Sequence, residues 1–170
     1  MSNQATDNSQ KFGKWMMYLT WIIALALASY FFQNWIDYKR NPNASLSSNT
    51  DAPVILKQNS QGHYLATGTI NQTPVVFLLD TGATSVVVSS ELASQLNLLK
   101  EGKAQVSTAN GVITVYRTTL DSVSLGSLNA KGIDAYINPH GDNTVLLGMS
   151  FLKHLSLLQQ DNTLTLSIPK

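Results

Sequence analysis

One acidic residue stands in a setting suited to chemistry. Asp80 directly follows the apolar run Val75 to Leu79 and precedes Thr81 and Gly82. A carboxylate at the end of a buried strand is costly unless hydrogen-bond donors surround it or it shares a proton with another acid. Gly82 lets other backbone approach closely, and the hydroxyls of Thr81 and Thr84 add donors with little bulk. The arrangement suits acid–base catalysis, although an Asp-Thr-Gly tripeptide alone serves equally well as a polar turn after a strand.

Two later segments have the pattern of elements that position such a carboxylate. Leu146 and Leu147 lead into Gly148, which lies 66 residues beyond Gly82 and precedes an apolar helical turn. This segment can pack beneath the loop that presents Asp80, or it can be an ordinary corner between a strand and a helix. Between the two lies a hairpin signal, the Asn110-Gly111 corner flanked by strands over 104–108 and 112–118. We expect that hairpin to fold over the carboxylate as a flap.

Strand signals dominate the chain after residue 54. Short apolar or alternating runs recur between turn residues, and Val86-Val87-Val88 is a second continuous apolar strand. Ser89 can cap a short helix over 90–98, and a second helical turn is expected over 150–155. The pattern predicts an all-β fold with one or two short helices, dense enough in strands for a closed barrel.

The order of these elements resembles a retropepsin-like aspartic protease, and in particular the bacterial branch with an N-terminal membrane anchor. The resemblance covers about residues 60–168 and rests on the buried strand with Asp-Thr-Gly-Ala, the hairpin and Leu-Leu-Gly with its helix. It implies a closed β-barrel with a flap hairpin. Viral relatives usually carry an acidic residue where this chain has Thr84, and a flap richer in glycine than the single Gly111.

The resemblance also implies roles for named positions. Asp80 would be the catalytic carboxylate, and Thr81 would bond across to the other half of the site. The remaining implied positions are the active-site loop (Gly82, Ala83 and Thr84), the flap tip that contacts substrate (Ala109, Asn110 and Gly111) and the supporting loop (Leu146, Leu147 and Gly148).

Peptide hydrolysis by this route needs two carboxylates, and the chain has a single Asp-Thr-Gly. A symmetric homodimer would supply two copies of Asp80, because a twofold interface brings identical residues together at its axis. The apolar segments 54–56 and 164–168 are either interface strands or ordinary strands paired within one chain. The expected partner is a polypeptide substrate. The alternative is a catalytically inactive module of the same fold that binds peptides as an adaptor.

The N-terminal part predicts a membrane segment. Residues 15–36 run for 22 positions without a charge, long enough for a hydrocarbon core of roughly 30 Å, and aromatic residues crowd both ends. A cleaved signal peptide is the competing interpretation, because Lys11 and Lys14 precede the run and Ala26-Leu27-Ala28 fits a cleavage site. The predicted organisation is a polar tail at 1–14, a transmembrane helix at 15–36, a flexible linker at 37–53 and a protease domain at 54–170.

Composition excludes several other classes of function. The net charge of +1 offers no electrostatic basis for binding nucleic acid, and zero cysteines exclude a thiolate nucleophile and a thiolate zinc site. Three scattered histidines do not suggest a metal cluster, so we expect neither metal nor cofactor.

The orientation of the apolar run in a membrane is only weakly indicated. Basic residues lie at both of its ends, so the positive-inside rule favours a cytoplasmic N-terminus only slightly. This orientation, taken together with the family resemblance, predicts a single-pass protein of a bacterial inner membrane with a periplasmic protease domain.

Overall fold

The computed structural model describes residues 4–47, 52–108 and 111–169. The chain divides into two compact units, Met1–Tyr38 and Lys39–Lys170. The helices are α1 (Gln4–Arg40), α2 (Ser90–Gln95) and α3 (Met149–Leu152). The strands are β1 (Val54–Lys57), β2 (Leu65–Ile70), β3 (Thr73–Leu79), β4 (Val86–Ser89), β5 (Gly102–Thr108), β6 (Gly111–Leu125), β7 (Leu128–Asn138), β8 (Thr144–Leu147), β9 (Ser156–Gln160) and β10 (Thr163–Ser167).

Helix α1 accounts for the described part of the N-terminal unit, and its last two residues, Lys39 and Arg40, belong to the second unit. Its stretch Gly13–Arg40 is long and apolar enough to cross a membrane, by length and composition, and no part of it is buried. Large side chains such as Trp15 and Phe31 are exposed. The predicted N-terminal apolar helix is confirmed, and it extends beyond residues 15–36 at both ends.

Six strands of the second unit close into a barrel. They follow one another in the order β2, β3, β8, β4, β7 and β6, and β6 pairs back to β2 through Thr69 opposite Ser124 and Ile70 opposite Val123. Strand β5 lies outside the ring and pairs only with the first half of β6 among the described strands. The expected closed, mostly β fold with a projecting hairpin is therefore confirmed.

The barrel core is built by alternation along each strand. In β3, Val75 and Phe77 are buried, whereas Val76 and Leu78 are only half-buried. The sequence analysis treated this apolar run as a buried strand, which implies cover on both faces. That prediction is wrong for the outer face, because Leu78 lines a surface groove described below.

A second, three-stranded sheet joins the two ends of the domain. Strand β10 pairs with β1 on one side and with β9 on the other, both antiparallel. The two apolar segments that could have served as interface strands thus pair with each other inside one chain, with Val54 opposite Leu166.

Part of the predicted linker packs against the domain. Asn43 is 4% exposed, and its side chain bonds Lys57 twice, accepting from the backbone nitrogen at 2.7 Å and donating to the carbonyl at 2.8 Å. It also donates to the carbonyl of Leu65 at 2.6 Å, and its own carbonyl accepts from the nitrogen of Thr67. These contacts anchor residues 41–43 to β1 and β2, so the segment 41–47 differs from the free linker expected there. Residues 48–51 of the predicted linker lie outside the described residues.

Candidate active site

Asp80 is the first residue after β3, at the mouth of the barrel. Its backbone nitrogen donates to the carbonyl of Leu147 at 3.2 Å, which ties the end of β3 to the end of β8. The carboxylate is half-buried, and its Oδ1 accepts from the backbone nitrogen of Gly82 at 2.8 Å. The donor is the backbone of the Asp-Thr-Gly turn itself, whereas the sequence analysis expected threonine hydroxyls in this role. The turn aims a carboxylate outward while holding one of its oxygens.

The loop that carries Asp80 rests on the start of α3. The nitrogen of Met149 donates to the carbonyl of Ala83 at 2.8 Å, and that of Ser150 to the carbonyl of Thr84 at 2.9 Å. The hydroxyl of Ser150 accepts from the nitrogen of Val86 at 3.0 Å. The backbone of the loop is thus fixed at three successive points.

Gly148 makes this close approach possible. A Cβ at this position would lie 2.4 Å from the carbonyl oxygen of Ser85 and 2.6 Å from that of Ala83, closer than real Cβ atoms come. The supporting-loop glycine is required by contact with the active-site loop, since its φ of −92° is accessible to any residue.

A pocket of about 420 Å³ opens beside the carboxylate. Its floor is the Asp80 loop and its other walls come from the β5–β6 hairpin and from β7, with Val106, Thr108, Ile113 and Tyr136 among the lining residues. We call it the Asp80 pocket. The apolar side chains of the hairpin face the carboxylate of Asp80 across this cavity. Such an arrangement can hold a ligand in contact with the carboxylate.

The predicted site residues separate into three groups. Asp80, Gly82, Ala83, Thr84 and Leu146 line the Asp80 pocket. Leu147 and Gly148 are buried behind the loop, and Thr81 points away from the pocket into a different cavity.

The flap tip is only partly described. Ala109 and Asn110 lie outside the described residues. Gly111 pairs with Thr108 as the first residue of β6, at φ +111°, and is absent from the pocket lining. The sequence analysis assigned Gly111 to the hairpin corner; the ladder instead begins at that residue.

Sequence reasoning missed the side walls of the pocket. Val87, Tyr136 and Asn138 line it from the parallel strands β4 and β7. For Val87 a signal existed: in a strand with period 2, a residue between the buried Val86 and Val88 must face outward. Tyr136 and Asn138 reach the pocket because β7 pairs in parallel with β4, and this pairing joins strands that lie far apart in the chain.

A second cavity, of about 340 Å³, continues from the first. The two share Val87, Asn138 and Leu146, so they form one groove across the outer face of β4 and β8. The far part is polar, with His63 and Asp142 among its lining residues.

This geometry agrees with the comparisons to known proteins. The family model for gag-polyprotein putative aspartyl protease matches residues 66–154, which is more than half of the chain and includes the Asp80 loop, the hairpin and Gly148. The chain belongs to this family. Its fold is that of the retropepsin-like aspartic proteases: a solved structure with that description, from Rickettsia conorii, is 26% identical and has a TM-score of 0.55, covering 68% of this chain and 89% of its own.

Other similar proteins include an EIAV protease solved with an inhibitor, 21% identical with a TM-score of 0.47, covering 58% of this chain and 92% of its own. A Sinorhizobium sp. protein described as uncharacterized, in the cobV 5′ region, is 32% identical over 62% of this chain and 47% of its own length. An uncharacterized protein of Rickettsia prowazekii (strain Madrid E) is 29% identical over 65% and 49%, respectively. The chain therefore spans about half the length of these curated relatives.

Proposed function

We propose that the chain is a membrane-anchored aspartic endopeptidase that hydrolyses peptide bonds as a homodimer, with Asp80 of each copy forming the catalytic pair. The observation that carries the proposal is the position of Asp80, half-buried at the edge of the Asp80 pocket beneath a projecting hairpin. Family membership supports the same chemistry.

The proposed mechanism uses one ionised and one protonated carboxyl group. Two carboxylates held about 3 Å apart cannot both ionise, so the pair retains one proton. The ionised group takes a proton from water, whose oxygen attacks the scissile carbonyl carbon, while the protonated group donates to the carbonyl oxygen. The tetrahedral intermediate then collapses as the nitrogen gains a proton and the C–N bond breaks. The hydrogen bond from the nitrogen of Gly82 orients one Asp80 oxygen and leaves the other available for this exchange.

The groove supports a polypeptide as the substrate. An extended peptide places successive side chains on opposite sides at a rise of about 3.3 Å per residue, and the two connected cavities offer space for more than one of them. The apolar wall near Val106 and Ile113 suits an apolar side chain next to the cleaved bond. The second cavity, with His63 and Asp142 among its lining residues, suits a polar side chain of the substrate.

The proposed location is a bacterial inner membrane crossed once by residues 15–36, with the protease domain in the periplasm. The apolar stretch Gly13–Arg40 supports a membrane span by length and composition. The order of tail, span, linker and domain inferred from the sequence belongs to the same proposal.

The test is Asp80→Asn in the full-length chain, assayed in detergent on a broad peptide library. Asparagine cannot exchange the proton, so we expect cleavage to fall at least about 100-fold. Asp121→Asn is the matched control, since it removes the same charge from an exposed position of β6. Cleavage by the Asp80 variant at the rate of the control would remove Asp80 from the mechanism. Peptide binding without cleavage by the unmodified chain would favour the adaptor alternative.

A further inference from the structure

Arg40 lines the second cavity of the groove, although it is the last residue of the apolar helix α1. It belongs to the same compact unit as the barrel, and its side chain is exposed. The family model matches residues 66–154, so that match assigns no role to Arg40. A guanidinium presents its N–H donors in a planar fork that fits a carboxylate. The end of the helix therefore brings a group that can recognise an acid to the wall of the groove.

The backbone around Arg40 is fixed to the loop before β2. The carbonyl of Arg40 accepts from the side-chain nitrogen of Asn59 at 3.2 Å, and the carbonyl of Lys39 accepts from the nitrogen of Ser60 at 3.4 Å. Asn59 is 9% exposed, and its Oδ1 accepts from the nitrogen of His63 at 2.9 Å. One buried side chain thus holds Arg40 beside His63, and both residues line the second cavity.

Arg40 and His63 lie at the end of the cavity nearest to the catalytic carboxylate. His63 is followed by Tyr64, whose carbonyl accepts at 3.0 Å from the nitrogen of Leu79, the residue immediately before Asp80. A peptide in the groove would therefore place near Arg40 a side chain that is close in sequence to the cleaved bond.

The acidic residue of the same cavity lies at the other end of β8. Asp142 precedes β8 by two positions, whereas Leu147, the last residue of β8, accepts from the nitrogen of Asp80. The 4 residues of β8 span roughly 13 Å at 3.3 Å per residue. The Oδ1 of Asp142 accepts from the nitrogen of Thr144 at 2.9 Å, and no ion pair joins Asp142 to Arg40 among the described residues. The charge of Arg40 is therefore available to a ligand.

We propose that Arg40 makes the groove selective for substrates with an acidic side chain near the cleaved bond. The inference rests on the proposed function, which places a peptide in this groove. The carboxylate of a substrate Glu or Asp can accept two parallel hydrogen bonds from the guanidinium, and the ring of His63 offers one further donor. A lysine at the same substrate position would meet a like charge, so the selection acts against it.

Peptide cleavage by the full-length chain in a neutral detergent tests this inference, because such a detergent offers no anionic headgroup to Arg40. The substrates are pairs of peptides that differ only in Glu or Gln at one position, moved through the positions on both sides of the cleaved bond. At one of these positions we expect kcat/KM to be about fivefold higher for the Glu peptide. Arg40→Gln should bring that ratio to about one, and Arg40→Glu should make a Lys peptide the better substrate.

Lys39→Gln is the matched control. Lys39 is also basic and exposed and precedes Arg40 in the same helix, but it does not line the cavity. Its variant should keep the wild-type rate and the wild-type preference for Glu. A general effect of positive charge at the helix end would instead change both variants equally, and that outcome would overturn the role of Arg40. Retention of the Glu preference in Arg40→Gln would overturn it as well.

Binding of the same peptides, measured by fluorescence anisotropy, separates this inference from the proposed function. If the unmodified chain cleaves peptides with no preference for Glu at any position, the inference is wrong and the proposed function stands. If no peptide is cleaved, but the Glu peptide binds about fivefold more tightly and Arg40→Gln removes the difference, the inference stands and the proposed function fails. The absence of both cleavage and binding would overturn both.

Discussion

Gly148→Ala should uncouple the active-site loop from its support. The added Cβ would lie 2.4 Å from the carbonyl oxygen of Ser85, where ordinary contact begins at 3.4 Å, so loop and helix must separate by about 1 Å. Overpacking of this kind costs about 1–3 kcal/mol. The separation also weakens the hydrogen bonds from Met149 and Ser150 to the loop, each contributing about 0.5–1.5 kcal/mol.

Together these effects predict a loss of about 2–6 kcal/mol in the free energy of unfolding. A displacement of about 1 Å at the carboxylate should reduce cleavage about 100-fold even where the protein remains folded. The assays are urea denaturation and peptide cleavage by the full-length chain, both well below the unfolding temperature.

Gly102→Ala is the matched control, because a Cβ at Gly102 meets nothing within 4 Å. It should leave cleavage unchanged and alter stability by no more than about 1 kcal/mol. Ser150→Ala serves as a milder second variant, removing only the hydroxyl that accepts from the nitrogen of Val86. Wild-type stability and cleavage in Gly148→Ala would refute the contact-based account of this glycine.

Three further outcomes follow from the same contacts. Asn43→Ala leaves the backbone groups of Lys57 without their partner, so the free energy of unfolding should fall by about 2–4 kcal/mol in urea titration. Tyr64→Phe should leave the free energy of unfolding unchanged or raise it in urea titration, since it removes a buried hydroxyl that has no hydrogen-bond partner among the described residues. If two copies of Asp80 act as the proposed catalytic pair, the rate of cleavage should be bell-shaped in pH, and a flat profile would contradict the pair.

The barrel and the position of its carboxylate were accessible from the sequence because their signals are local. Each signal depends only on residues that are neighbours in the sequence: the apolar strand that leads to Asp80, the Asn-Gly hairpin and the glycine after Leu147. Strand density then implies closure of the barrel, which the pairing of β6 with β2 confirms.

The features that the sequence did not predict depend on distant partners. Asn43 bonds residues 14 and 22 positions away, and nothing in a run of Asn, Pro and Ser marks one amide as buried. The pairing of β1 with β10 remained open for a similar reason: apolar edge strands look alike whether their partner is intramolecular or a second chain. The opposite facing of Asp80 and Thr81 is a property of the turn backbone, and neither side chain encodes it.

The buried side chain of Asn43 also limits the length of free chain between the apolar helix and the folded domain. If α1 crosses a membrane, only seven positions separate Ile36, the last residue of the predicted span, from Asn43, a reach of at most about 25 Å. The proposed protease domain would therefore stay in a thin layer next to the lipid. Peptide bonds in proteins that never enter that layer would not reach its active site.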